Sequence, residues 1–139
     1  MIKSLLLLGF IFLWTPLFAE ADIEKIIVVT SASNVGLLSK QQIKRIYMDG
    51  GSYNLKPINL SQGNKTRIIF NSKVIGLTEP RINSYWVQMK FSGKSEPPLE
   101  LDNTDAVINQ LKKDPRAIAY FPQEIEIPST LQVIYTLEY

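Results

Sequence analysis

The chain of 139 residues has no cysteine and no histidine, and these two absences exclude much of the chemistry open to a small protein. Without a thiol there is no disulfide, no thiolate nucleophile and no lipid-bearing cysteine. Without an imidazole there is no Ser-His-Asp triad, and zinc loses both of its usual ligand types. A GxSxG elbow, a Walker loop, an SxxK pair and an HExxH pair are also missing. Charge is modest and balanced, with 15 basic and 13 acidic residues scattered along the chain, so nucleic acid is not an expected partner. A carboxylate acid-base pair is the one catalytic constellation the composition leaves open. The expectation is a binding protein and not an enzyme, with no metal or cofactor.

What is present begins with a sorting signal. Met1-Ile2-Lys3 is a short positive start, Leu5 to Leu13 an apolar run continued by Trp14 to Phe18, and Ala19-Glu20-Ala21 a small-residue cleavage segment. The run falls short of the roughly 20 apolar residues that span a bilayer. Residues 1–21 are therefore expected to be a signal peptide cleaved after Ala19 or Ala21, and residues 22–139 a single exported domain that does not insert in a membrane. A disulfide-free exported protein fits the bacterial periplasm.

The domain reads as alternating strands and helices. Glu24 to Thr30 (EKIIVVT) is a buried strand by its β-branched residues. Ser39 with Gln42 forms a capping-box spacing for a helix carrying Ile43, Ile46 and Tyr47, which Asp49-Gly50-Gly51 ends. Lys56 to Leu60 is a second strand. Ile68, Ile69, Phe70, Val74 and Ile75 make a helical face closed by Gly76, and a third helix starts at Thr78-Glu79-Pro80. Pro97-Pro98 marks an extended connection, Thr104 to Lys113 a fourth helix, and Ala117 to Phe121 and Leu131 to Thr136 the last strands. This order predicts an α/β fold with a mixed, mainly parallel sheet flanked by helices.

In such sheets ligands meet the C-terminal ends of strands. Two polar loops are placed there by this reading: Thr30 to Asn34, with Ser31 and Ser33, and Ser61 to Thr66. The second runs into a helix N-terminus, where unpaired N–H groups attract oxyanions, and Lys65 and Arg67 add positive charge. Asn64 or Thr66 would equally serve as an ordinary N-cap, with Lys65 and Arg67 solvated. Tyr85, Trp86 and Phe91 offer a sugar-stacking platform, although their helical spacing beside Ile82 and Met89 favours the core.

The stretches VVTSASNVGLLSKQQIKRIYMDG, KPINLSQGNKTRIIFNSKVIG, YWVQMKFSGKSEPPLEL and DAVINQLKKDPRAIAYFP together resemble the type II periplasmic solute-binding proteins, specifically the phosphate-binding component of phosphate ABC transporters and its short relatives. Aligned on Phe70, Thr66 and Arg67 match the threonine and arginine of that family's Ser-Gly-Thr-Arg anion loop, while Asn64 and Lys65 stand where it has serine and glycine. Tyr120 matches the tyrosine of a Gly-Tyr step whose glycine is Ala119 here. The resemblance implies a single compact lobe that recognises a phosphate-like oxyanion through Ser31, Ser33, Asn64, Lys65, Thr66 and Arg67, beside a membrane transporter. A full-length relative closes two lobes over its ligand, whereas this chain has room for about one. The other expectation is therefore an interaction or sensor-partner module that kept the fold and lost tight binding.

Overall fold

The computed structural model describes residues 24–49 and 52–139. The signal-peptide reading of residues 1–21, and the helix stop at Gly50-Gly51, lie outside them. Strand β1 (Lys25–Thr30) is followed by α1 (Lys40–Asp49), β2 (Lys56–Leu60), α2 (Lys65–Phe70) running into a π-turn (Asn71–Ile75), and α3 (Glu79–Phe91). Then come β3 (Leu99–Leu101), α4 (Thr104–Lys113), β4 (Ala117–Pro122) and β5 (Gln132–Glu138).

The helix ends follow the local chemistry. At α1, the Ser39 N–H donates to Gln42 Oε1 (2.8 Å) and the Gln42 N–H to Ser39 Oγ (3.2 Å), a complete capping box. Helix α3 starts after Thr78 with Pro80 in its first turn, and α4 covers the predicted span behind the N-cap Asn103. Gly76 closes the second helical segment in the left-handed region (φ 77°), its N–H donating to Asn71 O at 2.7 Å.

The five strands form one sheet in the order β3-β2-β4-β1-β5. Strand β2 runs parallel to β3 and β4, while β1 is antiparallel to both β4 and β5. Four strands thus point one way and β1 alone points the other. From Ile26 to Thr30 and from Ala117 to Phe121 every residue is buried, so the sheet's centre is covered on both faces. Edge strand β3, a three-residue element where the sequence suggests only an extended connection, is largely exposed.

The core includes an aromatic stack. The rings of Phe70 and Tyr120 lie 4.0 Å apart and nearly parallel, and Tyr47 meets Phe70 edge-on at 4.9 Å. The Tyr47 hydroxyl donates toward the carbonyls of Ile58 (3.0 Å) and Ile118 (3.3 Å), tying α1 to β2 and β4. Burial pushes the Tyr47 and Tyr120 phenols well above their ordinary value. Phe70 and Tyr120, two of the residues that carry the family resemblance, are therefore core residues.

Candidate functional site

The reversed direction of β1 separates the two loops expected to face each other. Thr30 is paired with Ile118, which is level with Pro57 at the start of β2, whereas Ser61 follows the far end of β2. Ser31 and Ser33 therefore lie at one end of the sheet and residues 61–67 at the other, at least about 13 Å apart by the rise of four strand residues. Ser31 Oγ donates to the Leu111 carbonyl at 2.9 Å and so ties the loop to α4. Ser33 is exposed, its hydroxyl 3.4 Å from its neighbour Asn34. The expectation that these two serines join Thr66 in one site is corrected: β1 points away from it.

Residues 61–67 are built as a capped turn. Gly63 adopts φ 86°, the left-handed conformation that glycine takes without strain, and the Asn64 N–H donates to Ser61 O at 3.1 Å. Asn64 is the N-cap: its Oδ1 accepts from the backbone N–H groups of Thr66 (2.9 Å) and Arg67 (3.3 Å). The choice between Asn64 and Thr66 as cap thus falls to Asn64. Two of the donors that would greet an oxyanion are already engaged.

Arg67 is not a solvated charge. Its side chain is only 4% exposed. Its Nε donates to Glu79 Oε2 (3.1 Å) and its Nη2 to Glu79 Oε1, a two-pronged pair, while Nη1 donates to Glu100 Oε2 (2.8 Å) and to the Leu60 carbonyl (2.6 Å). Burial alone would lower the guanidinium's pKa, but the hydrogen bonds and charges of Glu100 and Glu79 outweigh it and raise it. Glu79 also accepts from Asn71 Nδ2 at 2.8 Å, joining α2 to α3.

Acidic side chains reach the turn itself. Ser61 Oγ donates to Asp102 Oδ1 at 2.8 Å, and the Gln62 N–H points to Glu100 Oε1 at 3.4 Å. Glu79, Glu100 and Asp102 are the residues sequence reasoning missed at this loop. The available signal was the Leu-Glu-Leu alternation of β3, which turns Glu100 away from its two leucine neighbours. Glu79 and Glu100 do converge, but on a guanidinium that holds them as its counter-ions.

Two groups at the loop stay open. Lys65 has a side chain 80% exposed and only a long 3.9 Å contact with Glu24, and the half-buried Thr66 hydroxyl has no hydrogen-bond partner among the described residues. The aromatic trio of α3 divides. Trp86 is buried, Tyr85 donates its hydroxyl to the Met48 carbonyl at 2.6 Å, and Phe91 is 95% exposed. Phe91 therefore does not belong to the core that its helical spacing suggested.

No protein-family model matches the chain, and no curated protein sequence does. Its fold does match solved structures. An ABC-type phosphate transport receptor from Vibrio cholerae aligns with a TM-score of 0.60 at 11% identity, over 81% of this chain and 46% of that one. A Clostridium perfringens protein assigned as a phosphate ABC transporter substrate-binding protein, solved with bound phosphate, aligns with a TM-score of 0.59 at 15% identity, over 80% and 44%. At these identities the likeness shows the fold, a periplasmic-binding-protein-like α/β unit. The match spans less than half the length of either receptor.

Proposed function

We propose that the chain is an exported, short relative of the type II phosphate-binding proteins, and that it acts in the periplasm by contact with a membrane transporter or sensor without enclosing a solute. The observation that carries this reading is the internal satisfaction of the anion loop. Asn64 caps two of the amides, Asp102 and Glu100 accept from Ser61 and Gln62, and Arg67 is committed to Glu79 and Glu100. A phosphate arriving here must displace Asn64 and sit beside carboxylates of its own sign. Held by the described residues alone it also keeps a face in water, where salt screens its remaining contacts. Titrating the purified protein with millimolar phosphate, sulfate and arsenate is expected to give neither heat nor a melting shift. In cells, Thr66→Ala is expected to leave the protein's role intact. A submillimolar dissociation constant for any of the three anions would overturn the reading.

A second reading, weak recognition of a phosphate-like oxyanion in ABC-transporter uptake, is favoured by one observation. The Thr66 hydroxyl and the Lys65 ammonium remain open at the mouth of the loop, in a fold shared with phosphate receptors. It predicts salt-sensitive phosphate binding that is lost in both Thr66→Ala and Lys65→Ala.

A further inference from the structure

Beside the loop, and sharing Gln62, Arg67 and Glu100 with it, the molecule carries a second site. Between α3 and the segment leading into β3 lies a groove of about 430 Å³, walled by Ile82, Trp86, Val87, Pro97 and Pro98. That volume, with mostly apolar walls and a few placed polar groups, is what small-ligand sites share. Asn59, next to last in β2, lines it and is 8% exposed. Asn59 Oδ1 accepts from the Tyr120 hydroxyl at 3.0 Å. Asn59 Nδ2 has no partner among the described residues. This NH₂ group opens on the water of the groove, and a ligand's acceptor can take the place of that water on it.

The local charge selects among acceptors. Arg67, Lys90 and Glu100 also line the groove, and Arg67, the cation next to Asn59, is held by Glu79, Glu100 and the Leu60 carbonyl. An anion at Asn59 would have to compete with those two carboxylates for the same guanidinium, so a neutral carbonyl suits the position better than a carboxylate.

We propose that this groove binds a neutral, amide-bearing apolar molecule about the size of a blocked amino acid, its carbonyl oxygen accepting from Asn59 Nδ2 and its apolar group lying between Trp86, Ile82 and the Pro97-Pro98 wall. This goes beyond the partner-contact reading and stands independently of it. N-acetyl-leucinamide titrated into isotope-labelled protein is expected to give saturable NMR shifts of the Asn59 side-chain NH₂ and the Trp86 indole N–H, with a millimolar dissociation constant. N-acetyl-leucine, which carries a carboxylate, should bind at least about tenfold more weakly.

Two variants, each checked for an unchanged fold by circular dichroism, complete the test. Asn59→Asp keeps an acceptor for Tyr120 but removes the donor, and should weaken amide binding at least about tenfold. Val87→Glu, at a position 67% exposed, should close the groove and abolish the shifts without touching the core. The proposal is overturned by an absence of saturable shifts with the amide, by shifts that persist unchanged in both variants, or by the carboxylate binding as tightly as the amide.

Discussion

Replacing Arg67 with methionine separates the two roles an arginine beside this loop can have. As a ligand-holding charge it would be dispensable for folding. As found, it is 4% exposed and bonded to Glu79, Glu100 and the Leu60 carbonyl, drawing α2, α3, β2 and β3 together. Removing one member of a fully buried ion pair costs about 3–5 kcal/mol, chiefly by leaving the partner charge unpaired. Here the orphaned carboxylates are 24% and 45% exposed and can partly rehydrate, which brings the expected loss down to about 2–3 kcal/mol.

Urea unfolding followed by circular dichroism measures this directly. With a slope of about 1–2 kcal/mol per M for a domain of this size, the midpoint should fall by about 1–3 M. Lys65→Met, two positions away but exposed, is the control and should stay within about 0.5 kcal/mol of the native protein. An Arg67→Met midpoint indistinguishable from that control would refute the reasoning and return Arg67 to the pool of ligand-binding charges.

Three further outcomes follow from the same geometry. Asn64→Ala removes a cap that serves two amides and should cost about 1 kcal/mol in the same urea assay, most of it without change in slope. Tyr47 and Tyr120 have pKa values raised by burial, so the stability they contribute is whole below the ordinary phenol value of about 10 and is lost as the pH rises beyond it. An alkaline absorbance titration should show a late step coinciding with loss of circular dichroism, and all tyrosines ionising near that ordinary value in a folded protein would contradict it. Asp114 is held below the usual carboxylate range, first by the Arg116 backbone N–H and then by Lys56. Its contribution is present above about pH 4 and fades as the pH falls, so Asp114→Asn should lower stability at neutral pH and flatten the acid limb of the stability profile.

What was legible in the sequence was local. Ser39 with Gln42, Thr78 with Pro80, and the closing Gly76 mark helix ends because each motif is completed within a few residues. The direction of β1 was not legible, since a strand's polarity is decided by its partners, and those are the distant β4 and β5. Strand β3 escaped for a related reason: three residues behind two prolines carry no periodicity to read. At the loop, Thr66, Arg67 and Phe70 were found by position, yet the structure gives Phe70 to the aromatic stack and Arg67 to an ion-pair node. Its partners Glu79 and Glu100 lie 12 and 33 residues along the chain, beyond the reach of any spacing rule.

The departures at Asn64 and Lys65 have a structural logic of their own. Lys65 is the first residue of α2 and needs none of glycine's freedom. The left-handed turn is made instead by Gly63, where an added Cβ would meet nothing within 4 Å and only the backbone angle favours glycine. Lys65 therefore does not stand in for a missing glycine; the glycine of this turn sits two residues earlier. That shift lets Asn64 take the cap position with its Oδ1 on the amides of Thr66 and Arg67. An acceptor tethered next to its donors competes at a high effective concentration, which a freely diffusing anion must exceed before it gains a single bond. The loop preserves the start of the helix by occupying the donors that a phosphate would need.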